Sequence, residues 1–294
     1  MAAGSITTVF FPMALAIIML GLGLSLTLSD FRRVMQAPRT VLIALACQVV
    51  LLPVVCFGTV YAFALPPELA VGLMLLAASP GGTSANLYSH LADGDVALNI
   101  SLTAVNSVLS IVTLPLVVNF SLAHFMNDGA TLPLQLSKVL QVFAVVLIPV
   151  VVGMVIRRQA SAFSDAMAPF VKKASAIFLF LVIAAAVASD WQNILAYAAL
   201  IGVAALFFNL ASLGVGYAVP RMLNVGRRQA TAIGMEIGIH NSVLAITVAM
   251  SPALLNNPTM AIPAAIYGLI ANLTAAGFGW WVSRPTRPNP GYAD

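Results

Sequence analysis

The stretch 75–91, LLAASPGGTSANLYSHL, decides how the chain folds. An apolar helical run is interrupted by Pro80, Gly81 and Gly82, and a polar cluster of Thr83, Ser84 and Asn86 follows. Pro80 disfavours helix at Ser79 and has no N–H to donate. The two glycines weaken the restart, and Thr83 or Ser84 can cap a new half-helix. A second stretch, 234–242, GMEIGIHNS, has Gly234 and Gly238 and offers Asn241 and Ser242 as caps. It also sets Glu236 and His240 four apart inside an apolar run.

The rest of the chain says which solvent these breaks meet. Of its 294 residues 61% are hydrophobic and 7% charged, whereas about a quarter are charged in soluble globular domains. Apolar runs of about 20 residues recur, each long enough to cross roughly 30 Å of hydrocarbon as a helix. Nine spans are predicted, at 7–28, 40–64, 68–92, 95–123, 133–156, 166–188, 193–219, 228–251 and 259–282. The chain reads as an all-α membrane protein with one transmembrane domain over 1–294 and no large soluble domain between spans. The first run lacks a basic n-region and is followed by Arg32 and Arg33, so it reads as a retained span.

Basic residues set the orientation, because Lys and Arg near span ends collect on the cytoplasmic side. With an outside N-terminus, the inside segments hold Arg32, Arg33, Arg39, Arg157, Arg158, Lys172, Lys173, Arg221, Arg227, Arg228, Arg284 and Arg287, twelve of the 13. Only Lys138 falls outside. The expected location is a cell membrane, such as a bacterial inner membrane, with the tail 284–294 in the cytoplasm. The net charge of +4 follows from this topology. It does not indicate nucleic acid, which would need a basic face on a soluble element. Cys47 and Cys56, nine apart on one helix, are about 13 Å apart along its axis and cannot bridge each other.

The third span runs out-to-in and the eighth in-to-out, which is the layout of an inverted repeat: four spans in 1–124 and five in 130–283. Unwound backbone at membrane depth is tolerated where it is buried in protein or lines a cavity. Interrupted spans at corresponding positions of two inverted halves point to a transporter's binding centre.

Eight of the nine acidic residues fall in loops, tails or span ends; the exception is Glu236. A mid-span carboxylate costs about 2.5–3.5 kcal/mol on insertion scales, so its presence points to function. The structural alternative is a protonated Glu236 hydrogen-bonded within the bundle. On an unbroken helix His240 would share a face with Glu236 as a relay or ligand pair; it can also line a substrate site or be a satisfied core histidine. Asn99 and Thr103 share one helical face, and Gln48 is the lone amide of the second span. Such residues singly are helix–helix glue. With Glu236 they form an oxygen-rich set suited to a hard monovalent cation. The N-termini of the second half-helices, near Thr83 to Asn86 and Asn241 to Ser242, would aim about half a positive charge each at an anion.

These two motifs resemble those of the bile acid:sodium symporter family. SPGGTSANLYSHLADGDVAL is similar to its first crossover motif, usually CPGGTxSN, and EIGIHNSVLA to its second, usually EVGMQNSGLA. The resemblance implies a panel domain and a core domain, with two broken helices crossing in the core, and this chain looks like the nine-span form. It implies a first sodium site at Ala85, Asn86, Asn99, Thr103 and Glu236. The second falls on Gln48, Glu236, Ile237, Ile239 and His240, with the isoleucines giving backbone carbonyls. It implies anion contacts at Thr83, Ser84, Asn241 and Ser242, with Asn272 beside Ala271. Three positions differ from the usual pattern: Ala85 replaces a serine, Asn99 a small polar residue and His240 a glutamine, and imidazole nitrogen is a poorer sodium ligand than an amide oxygen.

The expected activity is sodium-coupled symport of a small organic anion, a bile acid-like or pantoate-like carboxylate, by alternating access. Sodium is the coupling ion and no organic cofactor is expected. The rival is a proton-coupled or sodium-independent carrier of the same fold. An intramembrane hydrolase would need a nucleophile and base side by side, but His240 and Ser242 are two apart and no mid-span aspartate pair exists. Single-cysteine labelling, after replacement of Cys47 and Cys56, tests the topology. The N-terminus should label from outside and the tail from inside; labelling of both from one side would refute nine spans.

Overall fold

The computed structural model describes residues 16–126 (without 18, 22 and 83), 136–177 (without 168, 172, 175 and 176) and 191–284 (without 252 and 253). Much of the first and sixth predicted spans, Thr83, Lys172 and the tail beyond 284 lie outside the described residues. The helices are α1 (Leu28–Val34), α2 (Pro38–Ala62), α3 (Pro67–Ala78), α4 (Ser84–Leu91), α5 (Val96–Phe125), α6 (Leu136–Gln159), α7 (Trp191–Met222), α8 (Arg227–Gly238), α9 (Ser242–Met250) and α10 (Thr259–Ser283). No strand forms among the described residues; one isolated antiparallel bridge joins Gly81 to His240.

Four helical segments there are long and apolar enough to cross a membrane: Pro38–Ala62, Val96–Phe125, Ala198–Met222 and Thr259–Ser283. The chain is a multi-pass membrane protein. The third and eighth predicted spans are each two shorter helices, α3 with α4 and α8 with α9, separated by the two breaks.

Local chemistry sets the ends. Pro67 occupies the first turn of α3, where its missing N–H costs nothing. Ser79 is extended (φ −73°, ψ 144°) because Pro80 follows it. Asp95 caps α5, its side chain accepting from the Leu98 N–H at 3.0 Å. Inside α2 one π-turn, Cys47–Leu51, carries Gln48. Pro53 follows and has no N–H for Val49, and the Leu52 N–H instead reaches back five residues to the Cys47 carbonyl.

All ten residues from Leu69 to Ala78 of α3 are buried, as suits a helix that is apolar all round. It packs on α5, on α2 and on the start of α10, while α8 packs on α7, α4 and α5 and α9 lies along α10. The first half-helices α3 and α8 are therefore largely enclosed, whereas α4 leaves Leu87 and Leu91 exposed. The contact of α3 with α10 is close enough to require glycine: a Cβ at Gly72 would lie 2.2 Å from the Met260 carbonyl oxygen. Gly72→Ala should lower the apparent melting temperature of the purified protein by several degrees, overpacking costing about 1–3 kcal/mol. Gly58→Ala, whose added Cβ meets no packing neighbour within 4 Å, should hold or raise the melting temperature in the same melt.

Candidate functional site

The two breaks lie against each other and exchange backbone hydrogen bonds. Gly82 N–H donates to the Ile239 carbonyl at 2.5 Å, and Asn241 N–H donates to the Pro80 carbonyl at 2.8 Å. These bonds replace helical ones. In an unbroken helix Gly82 would donate to Ala78 and Asn241 to Ile237, so each first half-helix is left with a carbonyl that has lost its partner four residues on. Gly238 loses its partner too, since Ser242 N–H turns to the His240 carbonyl. The Gly238 carbonyl instead accepts from Asn209 Nδ2 and the Tyr267 hydroxyl, each at 2.8 Å. Buried backbone is thereby kept bonded at the crossing, as a low-dielectric interior demands.

Glu236 sits beneath the crossing and is 0% exposed. Its Oε2 accepts from Thr103 Oγ1 at 2.6 Å and its Oε1 from Asn106 Nδ2 at 3.2 Å; the Gly81 N–H also faces the carboxylate. A Cβ at residue 81 would lie 2.2 Å from Oε1. Gly81 is thus needed for space as much as for breaking the helix. The Thr103 hydroxyl also has the Asn99 carbonyl within reach, at 3.1 Å, so its one proton serves one of the two acceptors.

Asn99 is fully buried, its Nδ2 donating to the Ala232 carbonyl at 2.7 Å and its Oδ1 unpartnered. Asn86 Oδ1 is likewise buried without a partner. Gln48 donates through Nε2 to the Ser79 carbonyl at 3.1 Å, leaving Oε1 unpartnered. Asn99 and Gln48 thus commit a nitrogen, while their oxygens and that of Asn86 are left over. Ala85 is buried in an apolar cluster with Met235, Ile239 and Leu213 and offers no side-chain oxygen.

The crossing separates Glu236 from His240. Helix α8 ends at Gly238, and no hydrogen bond joins the two side chains. The His240 ring stacks on Phe208 (centroids 5.6 Å, planes 11° apart), meets Tyr267 at 5.4 Å, and places Nδ1 3.4 Å from the Ser79 carbonyl. Its Nε2 is buried and unpartnered.

On the anion side, Asn241 is the N-cap of α9, its Oδ1 accepting from the Leu244 N–H at 3.0 Å. Ser242 Oγ is buried without a partner and would lie 3.0 Å from a Cβ at Gly268. Asn272 is exposed one turn further along α10, its amide bonded to the Gly268 carbonyl at 2.8 Å. Ser84 begins α4 and is partly buried; Thr83 lies outside the described residues.

Sequence reasoning missed Asn106, Asn209 and Tyr267. Asn106 had a signal: Asn99, Thr103 and Asn106 follow one another at i, i+4 and i+7 on one face of α5. Asn209 and Tyr267 had none, because each is defined by its contact with Gly238.

Residues 12–197 match the sodium bile acid symporter family. The chain is 28% identical over 275 residues to the "Uncharacterized sodium-dependent transporter YocS" of Bacillus subtilis, covering 93% of this chain and 83% of that one. It is 27% identical to the "Probable sodium/metabolite cotransporter BASS1, chloroplastic" of Arabidopsis thaliana, covering 86% of this chain and 61% of that one. With human "Sodium/bile acid cotransporter 4" it shares 29% over 82% of this chain and 55% of that one. The chain thus spans less than two thirds of the latter two. These relatives are named as transporters and not as enzymes, and the chain belongs to the sodium bile acid symporter family.

Proposed function

We propose that the protein is a secondary active transporter that carries a small organic anion inward with sodium by alternating access. The observation that carries this reading is the buried Glu236 carboxylate, held by three donors beneath two crossed helix breaks and bordered by unpartnered amide oxygens. A buried carboxylate surrounded by neutral oxygens suits a hard cation, since carbonyl and carboxylate oxygens are the ligands such ions prefer. YocS and its relatives are named for sodium, which supports that choice of ion. In this reading Asn86, Asn99, Thr103 and Glu236 form the first cation site. Asn99 supplies the side-chain oxygen that Ala85 lacks.

The second site is reduced to Gln48, Glu236 and the carbonyls of Ile237 and Ile239. His240 is held by Phe208, Tyr267 and the Ser79 carbonyl, and the Ile239 carbonyl already accepts from Gly82. The anion lies at the start of α4 and α9, where the positive helix ends and the hydroxyls of Ser84 and Ser242 meet it without a fixed positive charge. Asn272 borders its path. Nine spans in two inverted repeats, divided into panel and core, with an outside N-terminus, complete the reading. A charge crossing 100 mV releases about 2.3 kcal/mol, so a co-moving sodium ion offsets the anion's uphill entry.

Uptake into proteoliposomes tests the coupling. A panel of carboxylates, bile acids and pantoate among them, should show sodium-stimulated uptake by the native chain, and Glu236→Gln should abolish the stimulation. Retained stimulation in the folded variant would refute the role of Glu236. His240→Gln should steepen the dependence of uptake on sodium concentration by restoring an amide ligand; an unchanged curve would make His240 structural.

A further inference from the structure

Each broken span is preceded by a long helix that sends one buried amide to the break. Gln48 of α2 donates through Nε2 to the Ser79 carbonyl, 31 residues on, and Asn209 of α7 donates through Nδ2 to the Gly238 carbonyl, 29 residues on. The two amides differ in their oxygens. Gln48 Oε1 is unpartnered, whereas Asn209 Oδ1 accepts from the Thr274 hydroxyl of α10. Because Asn209 Nδ2 faces a carbonyl, which only accepts, its oxygen must face Thr274. The Thr274 proton then lies between the two oxygens, although the Ile270 and Ala271 carbonyls are each 3.1 Å away.

A second donor reaches the same backbone oxygen. The Tyr267 hydroxyl of α10 donates to the Gly238 carbonyl at 2.8 Å, with Asn209 and Ser212 of α7 facing that hydroxyl. Asn209 and Tyr267 are both 0% exposed, and they belong to the membrane-crossing segments Ala198–Met222 and Thr259–Ser283. Glycines bring α7 close to α8: a Cβ at Gly216 would lie 2.9 Å from Gly234 Cα, and one at Gly238 would lie 2.3 Å from Leu213 Cδ2. One donor is enough to satisfy a freed carbonyl. Two donors from two separate helices also fix its direction.

That direction matters because of the carbonyls on either side. The Ile239 carbonyl accepts from Gly82, while the Ile237 carbonyl, next to Glu236, has lost the Asn241 N–H. Gly238 has no Cβ to restrict its φ and ψ, so the peptides on its two sides could turn relative to one another. We propose that Asn209 and Tyr267, with Thr274 holding Asn209, are positioning residues of the cation centre. By fixing the Gly238 peptide they set where the Ile237 carbonyl points, and with it the affinity for the second sodium ion. This rests on the sodium-coupled reading above. None of the three is a ligand, since the Gly238 and Asn209 oxygens are already taken. A clamp that only satisfied buried backbone would, when weakened, lower folding stability and leave sodium affinity alone.

Equilibrium binding of radioactive sodium to the purified full-length protein, with melting in potassium chloride read alongside, separates the two roles. Tyr267→Phe keeps the ring that meets Phe208 and His240 and removes one donor. It should raise the half-saturating sodium concentration of one ion several-fold, with the same number of ions bound at saturation. Asn209→Leu should raise it further; where that variant fails to fold, Tyr267→Phe and Thr274→Val carry the test. Thr274→Val should give a smaller rise, and Thr274→Ser, which keeps the hydroxyl, should bind as the native chain does. Tyr61→Phe, which removes a hydroxyl bonded to His124 away from the crossing, should leave the sodium curve unchanged. Native half-saturation in Tyr267→Phe and Thr274→Val, whatever their melting temperatures, would overturn the positioning role and leave sodium coupling standing. No sodium bound by the native chain would overturn both.

Discussion

A carboxylate with no exposed surface is set against the backbone of a broken helix, and the rest of the centre answers to that contact. Glu236 approaches residue 81 so closely that only glycine fits. Three donors, from Thr103, Asn106 and Gly81, must then converge on it, since a buried charge without partners is costly. This convergence ties α5, α8 and the first break into one unit.

The break at Pro80 and the end of α8 at Gly238 each free backbone groups at membrane depth. The crossing repairs part of that loss by pairing Gly82 with Ile239 and Asn241 with Pro80, while Asn209 and Tyr267 take up the Gly238 carbonyl. What stays unpaired is uneven in kind. Among the described buried side chains it is chiefly oxygen: Gln48 Oε1, Asn99 Oδ1 and Asn106 Oδ1 on the side of the first half-helices and α5, and Asn86 Oδ1 and Ser242 Oγ at the start of the second half-helices.

The breaks and the acid were legible in sequence because they violate strong local rules: a proline with two glycines in an apolar run, and a carboxylate at mid-span. Spans two, four, seven and nine were legible from length and apolarity, and helices Pro38–Ala62, Val96–Phe125, Trp191–Met222 and Thr259–Ser283 lie within a few residues of the expectations. The orientation of His240 was not legible. Its place in the motif suggested a partner for Glu236, but whether four residues share a face depends on where the helix ends, and the stacking partner Phe208 lies on a distant segment. Asn106 was present in the sequence on the face of Asn99 and Thr103, masked because a lone asparagine on a membrane helix is commonly helix–helix glue.

The central claim is that the crossing and the carboxylate act together as a cation site. Thermal unfolding of the purified protein in sodium chloride against potassium chloride, for the native chain and for Gly81→Ala, tests it most directly. A bound ion stabilises by an amount that grows with its concentration. The native chain should melt at progressively higher temperature as sodium replaces potassium, and Gly81→Ala should lose that increment because its Cβ occupies the position of the Glu236 carboxylate. A Gly81→Ala protein that retains the full sodium-dependent increment would contradict the account.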